Sequence, residues 1–357
     1  MTPEEISPKA ICAHSQPQQT STAQRMLVVV AIAALVLLTW QLSGVLLLLF
    51  GAIILATALR AAAALIERYL RLSPRMAVAT AIFLASAMIV AGTWLIGDRL
   101  AEQFLNLRQR VPEALAALTV WLNNHPIGLQ ILGVWDSAKE GEVPWVRVAN
   151  VATLTVGAIG AIGLVLVLAV YLAVDPAQYR QGLVRLIPPA YRDQIDAALD
   201  ASGQALSKWL MGQGISMLFV GSATGFGLAA LGMPLALSLG VIAGVLAFIP
   251  FFGPVASGVL AVILAFMQGP TQALYVAGLC ILIQQIEGNL VMPFVQRWAV
   301  ELPPVLGIIA ALIFGLLFGI VGVVFATPLM VVAMVLVQKL YIEGVLESGS
   351  RSRAPGI

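Results

Sequence analysis

Charge is scarce in this sequence: Asp, Glu, Lys and Arg make up 10% of its 357 residues, against 60% hydrophobic residues. So little polar surface cannot cover a water-soluble globule of this size, and the chain reads as an integral membrane protein. The net charge of +2 includes no dense basic block, which argues against nucleic acid as a partner. The two cysteines, Cys12 and Cys280, cannot form a disulfide framework. The two histidines, His14 and His125, both lie outside the apolar runs. A Ser-His hydrolase site or a His-Glu-His zinc helix within the membrane is thereby excluded. A Walker-type phosphate loop is missing too, which argues against direct ATP coupling. The GQGIS stretch, Gly212 to Ser216, reads as small-residue helix packing rather than a nucleophile turn. Neither an enzyme nor a cofactor is expected.

Long apolar runs dominate what remains. A bilayer core of about 30 Å needs about 20 helical residues per crossing. Met26 to Leu59 exceeds one upright span, and its polar QLSG break, Gln41 to Gly44, suggests a hairpin of two short helices closed by Arg60. Met76 to Gly97 and Val148 to Val174 are each one span. Between Lys208 and Glu287 no residue is charged, and breaks fall at Leu231 to Pro234, at Ile249 to Pro254 and at Gln268 to Thr271. Pro303 and Pro304 open a last block that breaks near Ala326 to Pro328. The expected fold is an all-α polytopic membrane protein with about eight transmembrane helices, a short hairpin of re-entrant type and two amphipathic extramembrane insertions.

Basic residues set the orientation. Arg60, Arg68, Arg71 and Arg75 face only Glu67 between the second and third helices, which marks that loop as cytoplasmic. The expected organisation is a disordered cytoplasmic tail over 1–25, transmembrane helices 1–3 over 26–97, an extracytoplasmic insertion over 98–147 and a fourth helix over 148–174. A cytoplasmic interfacial helix follows over 175–208, then a bundle with broken helices over 209–343 and a cytoplasmic tail over 344–357. The tail at 1–25 has neither a basic n-region nor a small-residue cleavage site, so it reads as retained. In the outer insertion Leu100, Phe104, Leu107, Val111, Leu115, Leu118 and Leu122 form one helical stripe, with Pro112 expected to kink it. The stripe leaves its partner open between the chain's own transmembrane domain and a neighbouring subunit. The inner insertion carries Tyr191, Ile195, Leu199, Leu206 and Trp209 on one side and Arg192, Asp193, Asp196 and Asp200 on the other.

Acidic residues within spans are costly, about 2.5 to 3.5 kcal/mol on insertion scales, so those that persist tend to serve a site. Glu287 is the foremost candidate, with Gln284, Gln285 and Asn289 beside it as a set suited to a small cation, a proton or a polar solute. Unwinding at Gly288 would bring free carbonyls to the same place, and Pro293 closes the segment. The competing reading puts Glu287 at the interface, paired with Arg297, and Arg297 with Glu301 reads as an interfacial pair. The FIPFFGP stretch predicts a broken helix, because Pro250 and Pro254 donate no backbone hydrogen bond and Gly253 permits an unusual turn.

The order IPFFGP, QQIEGNLVMPFVQ, a helix opened by two prolines and GLLFGIVGVVFATPL resembles the AI-2E family of transporters, also called the autoinducer-2 exporter or PerM-like permease family. The resemblance runs from Met26 to about Glu343 and is most specific between Phe248 and Leu329. It implies a multi-pass protein of the bacterial inner membrane, related to exporters of autoinducer-2 and to members that exchange sodium or lithium for protons. It also implies a homo-oligomer, with a pentamer as one form. The family's proline-glycine motif falls on Pro250, Gly253 and Pro254, and its glutamine-glutamate-proline motif on Gln284, Gln285, Glu287 and Pro293. The family's basic-rich connection after that proline is reduced here to Arg297, so an anion role there has no support.

The function expected is therefore secondary transport, by ion-coupled alternating access, of a small polar solute or of Na+ against H+. Glu287, Gln284, Gln285 and Asn289 would bind, and Pro250, Gly253, Pro254, Gly288 and Pro293 would form the gating breaks. The alternative is an ion channel or an oligomeric membrane scaffold. The expected partners are the solute or ion, the bilayer and further copies of the chain.

Overall fold

The computed structural model describes residues 37–124, 156–293 and 303–347, together with Met26, Val30 and Ala34. The chain divides into two units, Met1–Leu46 and Leu47–Ile357. The described residues are helical with short connections and contain no strand. Five helices are long and apolar enough to cross a membrane, or six if a bent pair counts as one span. The all-α, multi-pass architecture holds, with fewer clear spans among the described residues than the eight expected.

The QLSG stretch does not reverse the chain. The amides of Leu42 and Leu46 donate to the carbonyls of Leu38 and Leu42, each at 2.9 Å, which is the helical pattern. Gln, Leu and Ser all keep their backbone donor, and one glycine costs a helix only about 1 kcal/mol, so polarity alone does not stop it. Helix α1 spans Ser43–Leu70 and ends at Arg71, whose φ of 52° is left-handed. Helix α2, Pro74–Asn123, begins with proline where no amide bond is needed and continues for 50 residues, about 75 Å. It passes through Pro112 as one helix. Pro112 is exposed, so the carbonyl it leaves unpaired is not buried.

The amphipathic stripe on the far half of α2 finds part of its partner within the same chain. Leu107 and Ala114 are buried with Leu228, Met233, Leu235 and Leu264, and Val111 packs against them. The rings of Trp121 and Phe266 meet edge to face at 5.2 Å, and the Gln103 Oε1 accepts from the Ser238 amide at 2.9 Å. Phe104, Leu105, Leu115 and Val120 stay exposed.

Helix α3, Val156–Val174, meets α4, Pro176–Arg185, at an angle of 87° around Asp175. Helix α5, Arg192–Ala230, follows a short 3-10 turn at Pro189–Tyr191. The interfacial helix expected over 175–208 is thus α4 plus the first turns of α5. At its far end Leu206 and Trp209 are buried against Ile54, Val331 and Val335, while Tyr191, on the same stripe, is exposed. The helix therefore runs straight from the charged end into the apolar bundle.

Helices α5 and α6, Ala236–Leu246, touch through glycine. A Cβ on Gly240 would lie 2.7 Å from the Cα of Gly225, and one on Gly221 would lie 3.1 Å from the Cα of Gly244. Backbones approach this closely only without side chains, the usual device of helix pairs in lipid. Helix α7, Phe252–Ala265, returns after a five-residue connection, and α8, Pro270–Ile286, leads into a π-helical turn over Glu287–Val291.

Helix α9, Pro304–Val337, is two arms. At Gly319 φ is 65° and ψ is −146°, outside any helix. A Cβ on Gly322 would lie 2.0 Å from the Phe314 carbonyl oxygen, although eight residues along a straight helix would separate them by about 12 Å. Ala310 and Ala311 likewise share a cluster with Ala326. The break thus falls at Gly319, not near Ala326 to Pro328 as expected, and Pro328 sits inside the second arm. Glycine reverses the chain in one residue, whereas proline needs only a kink.

Polar contacts gather the charged segments at one end of the bundle. Arg75 pairs with Asp175 at 3.5 Å, and Arg180 on α4 pairs with Asp196 and Asp200 on α5 at 2.9 and 2.8 Å. The Gln194 amide donates to the carbonyl of Leu340 at 3.1 Å. The start of α2, the junction of α3 and α4, the start of α5 and the segment that follows α9 therefore share a side.

Candidate functional site

The site is built where α5, α7 and α8 meet, beside the turn between α6 and α7. That turn carries IPFFGP. Pro250 withholds one amide, the Phe252 amide donates to the Pro250 carbonyl at 2.8 Å, and Phe251 takes a φ of 67°. Gly253 is pressed on the last turn of α6, where a Cβ would lie 1.7 Å from the Leu246 carbonyl oxygen. The expected broken helix is thus a tight helical hairpin. Phe248 on its inner side meets Trp209 edge to face at 5.8 Å, and the tip carries Phe251 exposed.

Glu287 ends α8, and its carboxylate accepts a hydrogen bond from the hydroxyl of Ser216, in the middle of α5. Ser216 is 1% exposed, and its hydroxyl turns across to α8 rather than back to its own helix. Hydroxyls elsewhere, such as Thr57, Thr80 and Ser202, donate to the carbonyl four residues before. One turn below Ser216, Gln213 is 6% exposed and donates to the Ala247 carbonyl at the end of α6. Gln213 thereby satisfies a carbonyl freed by the hairpin, which would otherwise be costly to bury.

Above Glu287, a small pocket is lined by Val220 and Thr224 from α5, Pro254, Ser257 and Gly258 from α7, and Cys280, Ile283 and Gln284 from α8. Thr224 and Ser257 are each 7% exposed. Ser257 donates to the Pro254 carbonyl at 3.1 Å, while the side chains of Thr224 and Gln284 make no hydrogen bond among the described residues.

The sequence-derived residues separate at this point. Glu287 meets Ser216, and Gln284, though exposed, lines the pocket together with Pro254. Gln285 and Asn289 are exposed and join neither. Gly288 does not unwind the helix: it lies in the π turn, where the Met292 amide donates to the Glu287 carbonyl. A Cβ at Gly288 would meet nothing within 4 Å, so packing there does not require glycine. Pro293 is exposed. Arg297 and Glu301, expected as an interfacial pair, lie outside the described residues, as do His125 and the stretch to Arg147.

Gln213, Ser216 and Thr224 were not singled out as site residues from sequence. The signal was there in their spacing of three and eight along one face of the charge-free second half of α5, with Val220 between. It was masked by the glycines of GQGIS, which suit helix packing equally well.

The chain matches the AI-2E family transporter family over residues 26–342. It is 30% identical over 266 residues to "Putative transport protein MT0215" of Mycobacterium tuberculosis, covering 71% of this chain and 72% of that one. It is 31% identical over 183 residues to "Putative transport protein YueF" of Bacillus subtilis, covering 51% of this chain and 49% of that one. It is 28% identical over 172 residues to "Putative permease PerM" of Escherichia coli, covering 47% and 49%. The match thus spans about half the length of the latter two relatives. With 317 of its 357 residues inside the family match and several apolar spans, this chain belongs to the AI-2E transporter family, a family of multi-pass membrane permeases.

Proposed function

We propose that the protein is a secondary transporter in which Glu287 exchanges a proton or a sodium ion while a small polar solute crosses the membrane. The solute is autoinducer-2-like, or the exchange of Na+ or Li+ for H+ is itself the transport. The observation that carries this reading is the bond between Ser216 and Glu287: a carboxylate held by a buried hydroxyl inside an apolar bundle. A surface anchor has no need of such a partner. Along α5, Ser216 lies eight residues from Lys208, a rise of about 12 Å, which supports a position well inside the charged boundary.

The α6–α7 hairpin supplies the moving part in this reading. Its α6 arm has 11 residues, about 17 Å, too short to cross a bilayer of about 30 Å, so its tip falls at intermediate depth. Irregular backbone at such depth is tolerated where it is covered by protein or lines a watery path. Pro250, Gly253 and Pro254 form the tip and Gly288 and Pro293 the adjoining turn, the places where alternating access would change backbone angles. Gln284 belongs to the binding set, and Gln285 and Asn289 join it only on a rearrangement of the π turn. The protein is placed in a bacterial inner membrane with both termini cytoplasmic, as a homo-oligomer, with a pentamer as one form. The positive-inside pattern of Arg60, Arg68, Arg71 and Arg75 supports that orientation.

The test is flux into proteoliposomes under imposed proton and sodium gradients, comparing the parent with Glu287→Gln. Coupled transport should be lost while expression and folding remain. Unchanged coupled flux in the variant sinks the reading, and flux that follows the solute gradient with no counter-ion dependence selects a channel instead.

A further inference from the structure

We infer that the pocket between α5, α7 and α8 is a solute subsite separate from Glu287, taking an uncharged hydroxyl of a small solute, with Thr224 and Gln284 as the residues that recognise it. The inference rests on the transport reading above and divides its labour: the carboxylate takes the ion, the pocket takes the neutral part.

Three observations lead there. First, no lining residue is charged, so an ion entering alone would lose hydration without a counter-charge. Second, the hydroxyl of the buried Thr224 and the side-chain amide of the exposed Gln284 make no hydrogen bond among the described residues, although Thr57, Thr80 and Thr93 all spend their hydroxyls on their own helices. A hydroxyl donor-acceptor and a primary amide, both unspent, match the two-way hydrogen bonding of an alcohol. Ser257 has given its proton to the Pro254 carbonyl and offers its lone pairs as a third contact. Third, the rest of the lining is Val220, Pro254, Cys280 and Ile283, the apolar wall with few fixed polar groups that small-molecule sites use. The enclosed part has room for one water-sized group, which suits one hydroxyl with the remainder of the solute in the open mouth.

The two sites are close but distinct. Thr224 is eight residues above Ser216 on α5, a rise of about 12 Å, and Gln284 is one turn from Glu287 on α8.

Cys280 lines the pocket and provides its own reporter. With Cys12→Ser, the full chain keeps one thiol. In proteoliposomes, N-ethylmaleimide labelling of Cys280 is timed with D-ribose, erythritol, sodium chloride or choline chloride present. The neutral polyols should slow labelling about fivefold or more, and the salts should not. Thr224→Val, which keeps the shape and removes the hydroxyl, should abolish polyol protection with the unprotected rate unchanged. Ser257→Ala, a milder change, should weaken it. Glu287→Gln should retain it. No protection by either polyol, equal protection in Thr224→Val, or protection by sodium chloride overturns the inference. A Glu287→Gln variant with normal coupled flux but intact polyol protection would defeat the transport reading alone.

Discussion

Gly253 rests on the carbonyl of Leu246, seven residues before it, so closely that a Cβ would stand 1.7 Å from the oxygen. That contact closes the α6–α7 hairpin, and it ties the glycine of IPFFGP to a steric need rather than to loop flexibility. Gly253→Ala should therefore destabilise the protein by about 1 to 3 kcal/mol or more, the range of overpacked sites. Thermal unfolding in detergent, with Gly258→Ala as a control whose Cβ meets the Cys280 Cβ at an ordinary 3.7 Å, would read the difference. Equal melting temperatures would mean that the hairpin opens without cost.

The Ser216 hydroxyl on the Glu287 carboxylate predicts a positioning role. Ser216→Ala should weaken apparent sodium affinity about ten- to hundredfold, the equivalent of a hydrogen bond to a charged group worth roughly 1.5 to 3 kcal/mol. Ser216→Thr, which keeps the hydroxyl, should recover part of it. The ion concentration giving half-maximal coupled flux is the quantity to measure, and recovery by Thr separates hydrogen bonding from packing.

Glycine substitutions on the bundle should split by sign. Gly240→Ala drives a methyl to 2.7 Å from the Gly225 Cα and should lower the melting temperature by several degrees. Gly278, in α8, has nothing within 4 Å, so Gly278→Ala should be neutral or stabilising by up to about 1 kcal/mol. A fall of similar size for both would indicate that the open side of Gly278 is occupied in the membrane.

Arg180 makes two ion pairs, to Asp196 and Asp200, yet all three side chains are more than a third exposed. Such pairs contribute about 0 to 1 kcal/mol and are screened by salt. Arg180→Ala should shift melting only slightly, and the shift should shrink in high salt.

Sidedness follows from Arg75 on Asp175 and Gln194 on Leu340. In a chain without its native cysteines, Arg71→Cys and Pro189→Cys should label from the same side of inverted vesicles, and Glu113→Cys from the other. Labelling of all three from one side would contradict the arrangement.

Much of the site was readable in the sequence because chemistry there is written locally. A lone acid after a charge-free block marks Glu287, and two prolines with a glycine mark the hairpin, since each of these residues limits the backbone or the cost of burial by itself. The breaks were less readable. QLSG looked like a stop and is helix, while the true reversal at Gly319 lay within an apolar run holding three other glycines, Gly307, Gly315 and Gly322. Which glycine takes a positive φ is decided by what packs on the two arms, not by the glycine.

Composition and residue order determined that this chain is a helical, multi-pass membrane protein, that Glu287 is the acid that closes its long charge-free block and that it resembles the AI-2E family. These are properties of single residues and of short periods, summed along the chain. Tertiary structure alone decided that Ser216 is the partner of Glu287, 71 residues away, that Gln213 caps the end of α6, and that Thr224, Ser257 and Gln284 share a pocket. Their meeting depends on how closely glycine lets α5 and α6 approach and on where two hairpins turn, and both are set by contacts between segments far apart in sequence.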